Sequence, residues 1–513
     1  MTKIAGIDLG TTFSAIAHLN DMGKPEIIPN SDGERIMASA VYFSDSERIL
    51  VGGEAVKARY ECVPKSVRWI KRHMGDADYT VKIDDKEYTP AEISARILKK
   101  LYQDAVPQVG GITDVVISVP ANFEEVARKA TMDAGKIAGL NVIGIVNEPT
   151  AAALYYAIEH KVSGRVLVFD LGGGTFDVTI ADVDGTNIQV ITSEGSRNLG
   201  GYNFDQELVT FFEAEYRKEK HAELCSKPED RAEIEDYAES IKKTLSKSET
   251  TPARLKGSAG MLKLDVAQKK FEELISSYLA TIEMLIETAL EGAKCQPADI
   301  NKVLLAGGSS RIPAVQRLLK KMFGYEPTLV GNVDECVALG AALYAGLRLM
   351  EESPEKVPAG IKGNLKGTSV GEVTNASYGF ICIGTDKVRQ DQRLKNDFII
   401  PKDTPIPCEE TSTYYTIYDG QARMQTRVTQ GESEDIDEIE IIADGTLDLP
   451  TGLPGGTPVK ATYSYSKDQR MDCIFEHEAS GRKIVINLDI QSRKYSTEKL
   501  EEKRIKLEDI IIE

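Results

Sequence analysis

Two stretches of the chain share one arrangement of residue types, and this repeat limits the folds that the sequence can adopt. In residues 7–13 and 169–177, an apolar strand ends at an aspartate, a glycine turn presents a threonine, and an apolar strand follows. A carboxylate at a strand end can hold a metal ion or its waters, and glycines let backbone N–H groups approach a phosphate closely. The repeat therefore predicts two similar lobes that face each other across a metal-bound polyphosphate.

Length, charge and cysteine usage exclude several classes of protein. A chain of 513 residues is too long for one core and suggests two to four domains. The formal charge of −18 argues against nucleic acid as a partner. No stretch approaches the roughly 20 apolar residues of a membrane helix, so no membrane partner is expected. Seven dispersed cysteines without a C-x-x-C pair, and a start without a signal sequence, predict a cytoplasmic protein.

The texture of the sequence changes along the chain and predicts the domain organisation. Strand and helix patterns alternate over residues 1–350, which predicts an α/β domain. Residues 351–375 are polar and rich in proline and glycine, as in a linker. Short strands separated by turn signals predict a small all-β sandwich over residues 376–490. Residues 491–513 are strongly charged and predict a short tail.

Three further elements carry the residue types of a phosphate site. Residues 200–202 and 307–309 each place glycines before a helical stretch, and Glu148 precedes a proline-initiated helix. Each element alone is equally compatible with a structural turn or a helix start. The repeated turns contain neither a Walker loop nor a dinucleotide-binding fingerprint, so another type of phosphate chemistry is indicated.

Together with residues 71–75 and 119–123, these motifs resemble the DnaK-type, seventy-kilodalton heat-shock chaperone family, in a form without the helical lid. The resemblance is strongest over residues 1–350. It implies a two-lobed actin-like ATPase domain with a duplicated core, followed by a β-sandwich that binds extended apolar segments of unfolded polypeptide. It also implies slow hydrolysis of ATP to ADP and phosphate with Mg²⁺, and K⁺ as a further cofactor. A J-domain co-chaperone and a nucleotide-exchange factor are the implied partners, in protein folding and the stress response.

The resemblance implies roles for individual residues around the transferred phosphate. Four of them would serve catalysis, namely Lys71, Glu148, Asp170 and Thr175. Lys71 would direct its ammonium group at the γ-phosphate and the attacking water, where negative charge develops. Three aspartates would surround Mg²⁺, largely through water: Asp8, Asp170 and Asp177. Pro149 would relay the nucleotide state to the second domain.

The rest of the nucleotide would be held by glycine-rich loops and one helix face. The loop residues implied are Gly10, Thr11, Thr12, Phe13, Gly172, Gly173, Gly174, Gly200, Gly201, Tyr202, Gly307, Gly308 and Ser309. The adenosine side would be formed by Glu239, Lys242, Lys243 and Ser246, whose spacing places them on one helix face, with Arg311 and Asp334 near the base. The family usually has arginine at position 243. Lysine lacks the planar guanidinium group that stacks on adenine, so an altered nucleotide affinity is expected.

The second half of the chain departs from the family pattern. Residues 366–375 carry only two valines where the family has a leucine-rich docking segment, so weaker coupling between ATP state and peptide release is expected. Ile381, Ile383 and Val428 are the candidate peptide contacts, although packing in the sandwich core is the favoured interpretation. A groove without a lid is expected to release peptide rapidly.

Two alternative functions remain open from the sequence. One is a nucleotide-sensing adaptor whose β-domain binds one specific protein. The other is a sugar or small-metabolite kinase of the same superfamily, which the chaperone-like motifs at residues 71–75 and 147–153 disfavour. Peptide dependence of ATP turnover would separate a chaperone from an adaptor, and a sugar-phosphate product would identify a kinase.

Overall fold

The computed structural model describes residues 3–45, 47–328, 331–385, 392–467, 470–488 and 497–513. The chain divides into two compact units. The first unit is made of Met1–Asn122, Ala130–Val370 and Leu500–Glu513, and the second of Phe123–Lys129 and Gly371–Lys499. The polypeptide therefore leaves the first unit near residue 370 and returns to it at residue 500.

The elements are numbered here in chain order. The strands are β1 (Ile4–Asp8), β2 (Phe13–Leu19), β3 (Pro25–Ile27), β4 (Met37–Ala38), β5 (Ala40–Phe43), β6 (Arg48–Val51), β7 (Ser66–Arg68), β8 (Val81–Ile83), β9 (Lys86–Tyr88), β10 (Asp114–Val119), β11 (Val142–Asn147), β12 (Gly164–Leu171), β13 (Phe176–Asp184), β14 (Asn187–Ser196), β15 (Thr250–Gly257), β16 (Gly260–Ala267), β17 (Lys302–Ala306), β18 (Ser369–Val373), β19 (Tyr378–Thr385), β20 (Gln392–Ile400), β21 (Pro405–Ile406), β22 (Cys408–Tyr415), β23 (Arg423–Gln430), β24 (Glu440–Asp448), β25 (Pro458–Tyr465), β26 (Met471–His477), β27 (Arg482–Asn487) and β28 (Ile511–Ile512). The α-helices are α1 (Gly53–Ala58), α2 (Pro90–Val109), α3 (Glu125–Ile137), α4 (Glu148–His160), α5 (Gly201–Lys220), α6 (Pro228–Leu245), α7 (Gln268–Leu274), α8 (Ser276–Gly292), α9 (Pro313–Phe323), α10 (Cys336–Glu352), α11 (Ala359–Asn364) and α12 (Thr497–Glu508).

The two lobes of the first unit repeat one sheet topology. In the first lobe the strand order is β11-β10-β1-β2-β3, and β1 is antiparallel to β2 but parallel to β10. In the second lobe, β17, β12, β13 and β14 are neighbours in that order. There β12 is antiparallel to β13 and parallel to β17. Each repeated turn of the sequence thus connects the first two strands of a lobe, and the predicted duplicated core is confirmed.

Close helix packing holds the first lobe's sheet. The strands at its centre, β1 and β10, are mostly apolar and buried, as expected where both faces of a sheet are covered. A Cβ at Gly340 of α10 would overlap the backbone of Ala151 in α4, and one at Gly6 of β1 would overlap the backbone of Ala342. Only glycine allows these approaches, so the lobe depends on small residues where helices cross the sheet.

Part of the stretch expected to be a polar linker packs into the first unit. Helix α11 lies within it, and Ile361 and Leu365 are buried beside Gly346 of α10. These two apolar side chains are four residues apart and share one face of a short helix. The compact units accordingly divide at residues 370 and 371, later than the predicted end of the α/β domain at residue 350.

The second unit contains a sandwich of two four-stranded sheets. The strand orders are β20-β19-β23-β24 and β22-β25-β26-β27. Val428 is completely buried between them, with Tyr378, Tyr463 and Phe475. The hydroxyl group of Tyr463 donates to the carbonyl oxygen of Gly379 at 2.8 Å, which satisfies its buried polar atom. The fold expected for this part of the chain is confirmed.

The candidate peptide residues lie in different environments in this sandwich. Val428 packs in the sandwich core, which was the favoured interpretation for these residues. Its candidate role as a peptide contact is corrected, because its side chain is not accessible. Ile383 is exposed and Ile381 is half-buried. Residues 386–388, which follow these two isoleucines in the sequence, lie outside the described residues.

The charged segment expected to be a tail is folded where the structure describes it, over residues 497–513, and Leu500–Glu513 belongs to the first unit. It forms α12 and β28, and β28 pairs in parallel with β6. Leu507 anchors the segment because its side chain is buried. In the described parts of the chain, no helix has both the length and the apolar character needed to cross a membrane.

Candidate active site

The two repeated turns touch each other in the first unit. A Cβ at Gly174 would lie 2.6 Å from Cγ2 of Thr11, and a Cβ at Gly173 would overlap Oγ1 of Thr12. No side chain larger than glycine fits there without displacing the opposite loop. The two loops predicted to bind phosphate therefore lie side by side, with backbone groups of one against hydroxyl groups of the other.

Neighbouring backbone contacts fix the first of these turns. The amide of Gly10 donates to Oγ of Ser14 at 3.2 Å, and Oγ of Ser39 donates to the carbonyl oxygen of Gly10 at 2.7 Å. A Cβ at Gly10 would overlap the carbonyl oxygen of Phe13. The ring of Phe13 is partly exposed at the end of the turn. The conformation of the turn is thus fixed by contacts within the protein.

The start of α5 is attached to the second turn by two backbone hydrogen bonds. The amide of Gly201 donates to the carbonyl oxygen of Gly172 at 3.0 Å, and that of Tyr202 donates to Gly173 at 2.7 Å. A helix N-terminus carries a partial positive charge and favours anions. The third predicted glycine element is therefore fixed directly against the second.

Two more glycines stand where any side chain would collide with this site. A Cβ at Gly200 would lie 2.6 Å from the amide nitrogen of Gly174. Gly307 has φ +73°, and a Cβ there would lie 2.6 Å from Oδ1 of Asp170. The structure thus brings four of the predicted glycine elements together at the ends of β1, β12 and β17.

A buried lysine lies among the acidic side chains at this point. Nζ of Lys71 donates to Oε1 of Glu148, and the two residues are only 4% and 6% exposed. Burial by itself lowers the pKa of a lysine. Here the negative charges of Glu148 and Asp8 outweigh burial and raise the pKa of Lys71 above its ordinary value. The ammonium group therefore stays charged.

Two of the aspartates in the cluster, Asp8 and Asp170, hold protons more tightly than usual. Burial, with a contribution from Glu148, raises the pKa of Asp8 to about 7. Burial and the charges of Glu148, Asp177 and Asp8 raise the pKa of Asp170 well above its ordinary value. Four carboxyl groups thus share the site with one ammonium group from Lys71. This surplus of acidic groups is suited to a divalent cation, which can take the place of the protons they hold.

The donor atoms in the cluster fit Mg²⁺ bound partly through water. Asp8, Asp170 and Asp177 offer carboxylate oxygens, which Mg²⁺ prefers. Among the described residues, no three His, Cys, Asp or Glu side chains converge closely enough to hold one ion by themselves. Mg²⁺ usually keeps several waters and binds phosphate oxygens as well, so its site does not require a complete set of protein ligands.

The helix face predicted to hold adenosine divides into two parts. Glu239 and Lys243 form an ion pair at 2.7 Å, and both line an open surface pocket. The pocket is completed by Asp236, Ser240, Thr244, Lys247 and Ser248. Lys242 instead points into the protein, where Nζ donates to Gly201 O at 2.9 Å and Asp205 Oδ2 at 2.8 Å.

Ser246 lies at the end of the same helix and donates to the carbonyl oxygen of Lys242 at 3.1 Å. Of the four predicted residues, the structure places only Glu239 and Lys243 around the pocket. Lys242 instead holds the start of α5 through its hydrogen bond to Gly201. Its contact with the predicted phosphate loops is therefore made to a backbone carbonyl oxygen.

The base-side residues form one connected group. Nη1 of Arg311 donates to Oδ2 of Asp334 at 2.7 Å, and Nη2 donates to Asn332 at 2.9 Å. A Cβ at Gly308 would lie 3.0 Å from Oδ1 of Asp334, and Ser309 is buried next to it. Arg311 keeps an exposed guanidinium plane, which is the feature that stacking on a base requires.

Pro149 lies in the first turn of α4, directly after Glu148, and both are buried. Proline fits this position because the first helical N–H groups have no intrahelical acceptor. The proline thereby fixes where α4 begins, and with it the position of Glu148 at the first residue of the helix.

Several site residues were not among those predicted. Oγ of Ser118 donates to Oδ1 of Asp8 at 3.0 Å. Trp69, two residues before Lys71, has φ +57° and lies under the guanidinium groups of Arg59 and Arg68. Left-handed backbone at an aromatic residue marks a position that the surroundings force. In the sequence, the single tryptophan two residues before Lys71 was the feature that could have indicated this position.

Comparison with known proteins identifies the family. The family model described as Hsp70 protein matches residues 4–506. Proteins called chaperone protein DnaK from Thermotoga neapolitana, Thermotoga petrophila and Thermotoga maritima are each 38% identical over 475 residues, which cover 91% of this chain and 76% of theirs. With two lobes of matching topology and glycine turns meeting at a buried lysine and carboxylates, the chain belongs to the Hsp70 family and is a DnaK-type, ATP-dependent chaperone ATPase.

Proposed function

We propose that Lys71, Glu148, Asp170 and Thr175 form the hydrolytic centre for ATP, and that the touching glycine turns bind its phosphates. The carrying observation is the buried Lys71–Glu148 pair beside Asp8 and Asp170. A charged ammonium group held in a water-poor site stabilises negative charge far more than it would in water. Lys71 is thus suited to stabilise the charge that develops on the transferred phosphoryl group.

Each remaining residue of the centre has a role that its environment supports. Glu148 accepts a hydrogen bond from Lys71 and orients that side chain. Thr175, buried in the second turn, offers a hydroxyl group to the attacking water. Asp8, Asp170 and Asp177 would hold Mg²⁺, which when bound neutralises charge on the β- and γ-phosphate oxygens. We include K⁺ as a further cofactor. Replacement of K⁺ by Na⁺ in the assay buffer should then lower the rate of ATP hydrolysis.

The nucleotide's other contacts follow from the same geometry. Loop residues would contact phosphate and ribose as the sequence predicts, through Gly10, Thr11, Thr12, Phe13, Gly172, Gly173, Gly174, Gly200, Gly201, Tyr202, Gly307, Gly308 and Ser309. Glu239 and Lys243 would hold ribose and base from α6, with Arg311 and Asp334 opposite. Lys242 and Ser246 would support this side indirectly.

Two aspartates on one strand allow a matched test of the metal role. Asp177 is buried in β13, and Asp184 is exposed at the end of the same strand. We expect Asp177→Asn to raise the Mg²⁺ concentration needed for half-maximal phosphate release at least about tenfold, while Asp184→Asn leaves it unchanged. An unaltered Mg²⁺ requirement in Asp177→Asn would remove Asp177 from the metal site.

We propose further that the β-sandwich binds extended apolar peptide along β19 and β20. Ile383 and Leu394 are directly paired across these strands, and both are exposed. Ile381 lies on β19 two residues earlier. An exposed apolar cross-strand pair offers a contact surface for an apolar side chain. Pro149 is retained as the proposed relay between nucleotide state and peptide binding.

A variant on each sheet tests the peptide site. Ile383 on β19 is 44% exposed, and Val485 on β27 of the other sheet is 47% exposed. Ile383→Asp should weaken binding of a labelled apolar heptapeptide at least about tenfold, whereas Val485→Asp should not. Equal loss in both variants, or none, would contradict this location. A rate of ATP hydrolysis that no unfolded peptide changes would favour the adaptor function instead.

The proposed partners are unfolded polypeptide, a J-domain co-chaperone and a nucleotide-exchange factor. All seven cysteines are free thiols, which supports a reducing compartment such as the cytoplasm. Addition of a purified J-domain protein should accelerate phosphate release, and an exchange factor should accelerate ADP release.

A further inference from the structure

The segment Leu500–Glu513 closes the edge of a sheet that would otherwise be open. The strand order of this sheet is β28-β6-β5-β7, so β6 would be an edge strand without β28. The amide of Ile511 donates to Glu47 O at 2.9 Å, and that of Glu513 donates to Ile49 O at 2.9 Å. In return, the amide of Val51 donates to Glu513 O at 2.8 Å. These bonds are those of strand addition, a common way to bind an extended peptide.

A second set of contacts holds the helix that precedes this strand. Leu507 is 2% exposed, and its carbonyl oxygen accepts from Nζ of Lys99 at 2.8 Å. Nζ of Lys503 donates to Oε1 of Glu92 at 2.5 Å. Lys99 and Glu92 both belong to α2. The surface therefore has two parts, the edge of β6 and one face of α2.

The chemistry of the bound segment matches this surface. Three consecutive isoleucines, residues 510–512, favour an extended strand because β-branched side chains fit a pleated sheet. Glu513 follows them and pairs with Arg48 at 3.3 Å. The isoleucine strand thus pairs with β6, the acidic side chain that follows it pairs with Arg48, and the leucine before it is buried.

We infer that the β6 edge and the α2 face form a peptide-binding site that is separate from the β-sandwich and from the nucleotide site. Its ligand is the segment Leu500–Glu513 of this chain, recognised as Leu-x-x-Ile-Ile-Ile-Glu through strand addition and a leucine anchor. The site recognises that segment without the covalent connection, so it binds the same sequence supplied as a free peptide. This inference goes beyond the proposed ATPase and peptide-binding roles and does not depend on them.

The test uses the full chain with a specific protease site inserted after Leu488. The protein folds intact and is then cut, so that the fragment carrying α12 and β28 is held only by its contacts. We expect the fragment to stay with the body in size-exclusion chromatography. An excess of synthetic peptide of residues 497–513 should displace it. A fragment that elutes by itself from the folded body would overturn the inference.

Two full-length variants provide a matched comparison on α12. Leu507 is buried, whereas Ile505, on the same helix, is 49% exposed. Leu507→Asp should release the segment, so that this variant binds the labelled peptide at least about tenfold more tightly than the wild-type protein, whose site is occupied. Ile505→Asp should behave as wild type. Equal peptide binding by all three proteins would contradict a specific site.

Discussion

Nζ of Lys71 donates a hydrogen bond to Oε1 of Glu148 where both side chains are almost completely buried. Lys71→Ala should lower the rate of ATP hydrolysis about 10²- to 10³-fold, since it removes the cation that stabilises developing negative charge. It should also lower the free energy of unfolding by about 3 kcal/mol, because the carboxylate remains buried without its partner. Single-turnover kinetics and thermal melting measure the two effects separately.

A double variant distinguishes catalysis from stability. Lys71→Ala combined with Glu148→Gln removes both charges and should recover much of the lost stability. Hydrolysis should remain slow. Recovery of hydrolysis along with stability would show that Lys71 serves only the fold.

The raised pKa of Asp8, about 7, makes metal binding depend on pH. Because a proton and a cation compete for the carboxylate, the affinity for Mg²⁺-nucleotide should rise as pH increases from 6 to 8, with release of a proton. Calorimetric titrations in buffers of different ionisation enthalpy measure that proton. Asp8→Asn should lower the number of protons released, although Asp170 can still release one; a proton count unchanged by this substitution would assign the release elsewhere.

The same shift predicts how stability without nucleotide depends on pH. The folded protein holds the Asp8 proton up to about pH 7, while the unfolded chain loses it near 3.8. The folded state therefore binds more protons between these values, and this residue's contribution to stability falls as pH rises through that window. Melting temperatures of wild type and Asp8→Asn should converge near pH 4 and differ most near pH 7, with the variant more stable.

Gly200 should tolerate no side chain. A Cβ there would lie 2.6 Å from a backbone nitrogen of Gly174, which cannot move as a flexible side chain could. Gly200→Ala should weaken nucleotide binding at least about tenfold, because the α5 start and the second turn must separate. Gly53→Ala is the control, since a Cβ at Gly53 meets nothing within 4 Å. Equal affinities in the two variants would show that the contact does not matter for binding.

Lys243→Arg should increase nucleotide affinity. Nζ of Lys243 lies 5.4 Å from the Phe13 ring and lines the pocket beside Glu239. A guanidinium group keeps the charge and adds a plane that can stack on adenine, worth about 0.5–1 kcal/mol, or roughly two- to fivefold. Fluorescent nucleotide titration gives the ratio, and Lys243→Met should decrease affinity. Lower affinity in Lys243→Arg would place adenine elsewhere.

Acid should weaken the attachment of α12. Burial opposes ionisation of Glu92, but the hydrogen bonds from Lys503 and the Thr89 backbone and the positive charges of Lys503 and Arg96 together outweigh burial and lower the pKa of Glu92. The pair therefore stabilises the folded protein above about pH 4.5 and loses this effect as pH falls through the lowered pKa. Lys503→Met should reduce stability by about 1 kcal/mol at pH 7 and have little effect at pH 3, as measured by denaturant unfolding. A difference that persists at pH 3 would have another origin.

The duplicated lobes could be predicted because the repeated turns impose a strict local requirement. At Gly173 and Gly174, any side chain would overlap a threonine of the opposite loop. The close approach of the two loops therefore requires glycine, and these glycines are visible in the sequence. Spacing on α6 was less informative. Spacing alone puts Lys242 and Lys243 on one face of the helix. It gives no information about Asp205 of α5, whose carboxylate binds Lys242 and turns that side chain into the protein.

The folding of the last segment could not be inferred from its own residues. Most of α12 is charged, and the burial of Leu507 depends on a surface formed by α2, some four hundred positions earlier in the chain. The stretch around Ile361 was similarly obscured, because flanking prolines and glycines outweighed two apolar residues with helical spacing. In both cases long-range packing decided the local structure.

Trp69 is the only tryptophan in the 513 residues, and its ring lies 4.8 Å from that of Tyr202 at the start of α5. The guanidinium groups of Arg59 and Arg68 also lie against this ring, at 5.3 and 4.5 Å from its centroid. The tryptophan emission of the whole protein therefore originates at one point, beside Tyr202 and two residues from Lys71. Excitation that avoids the tyrosines consequently makes the unlabelled protein report any change in the surroundings of Trp69.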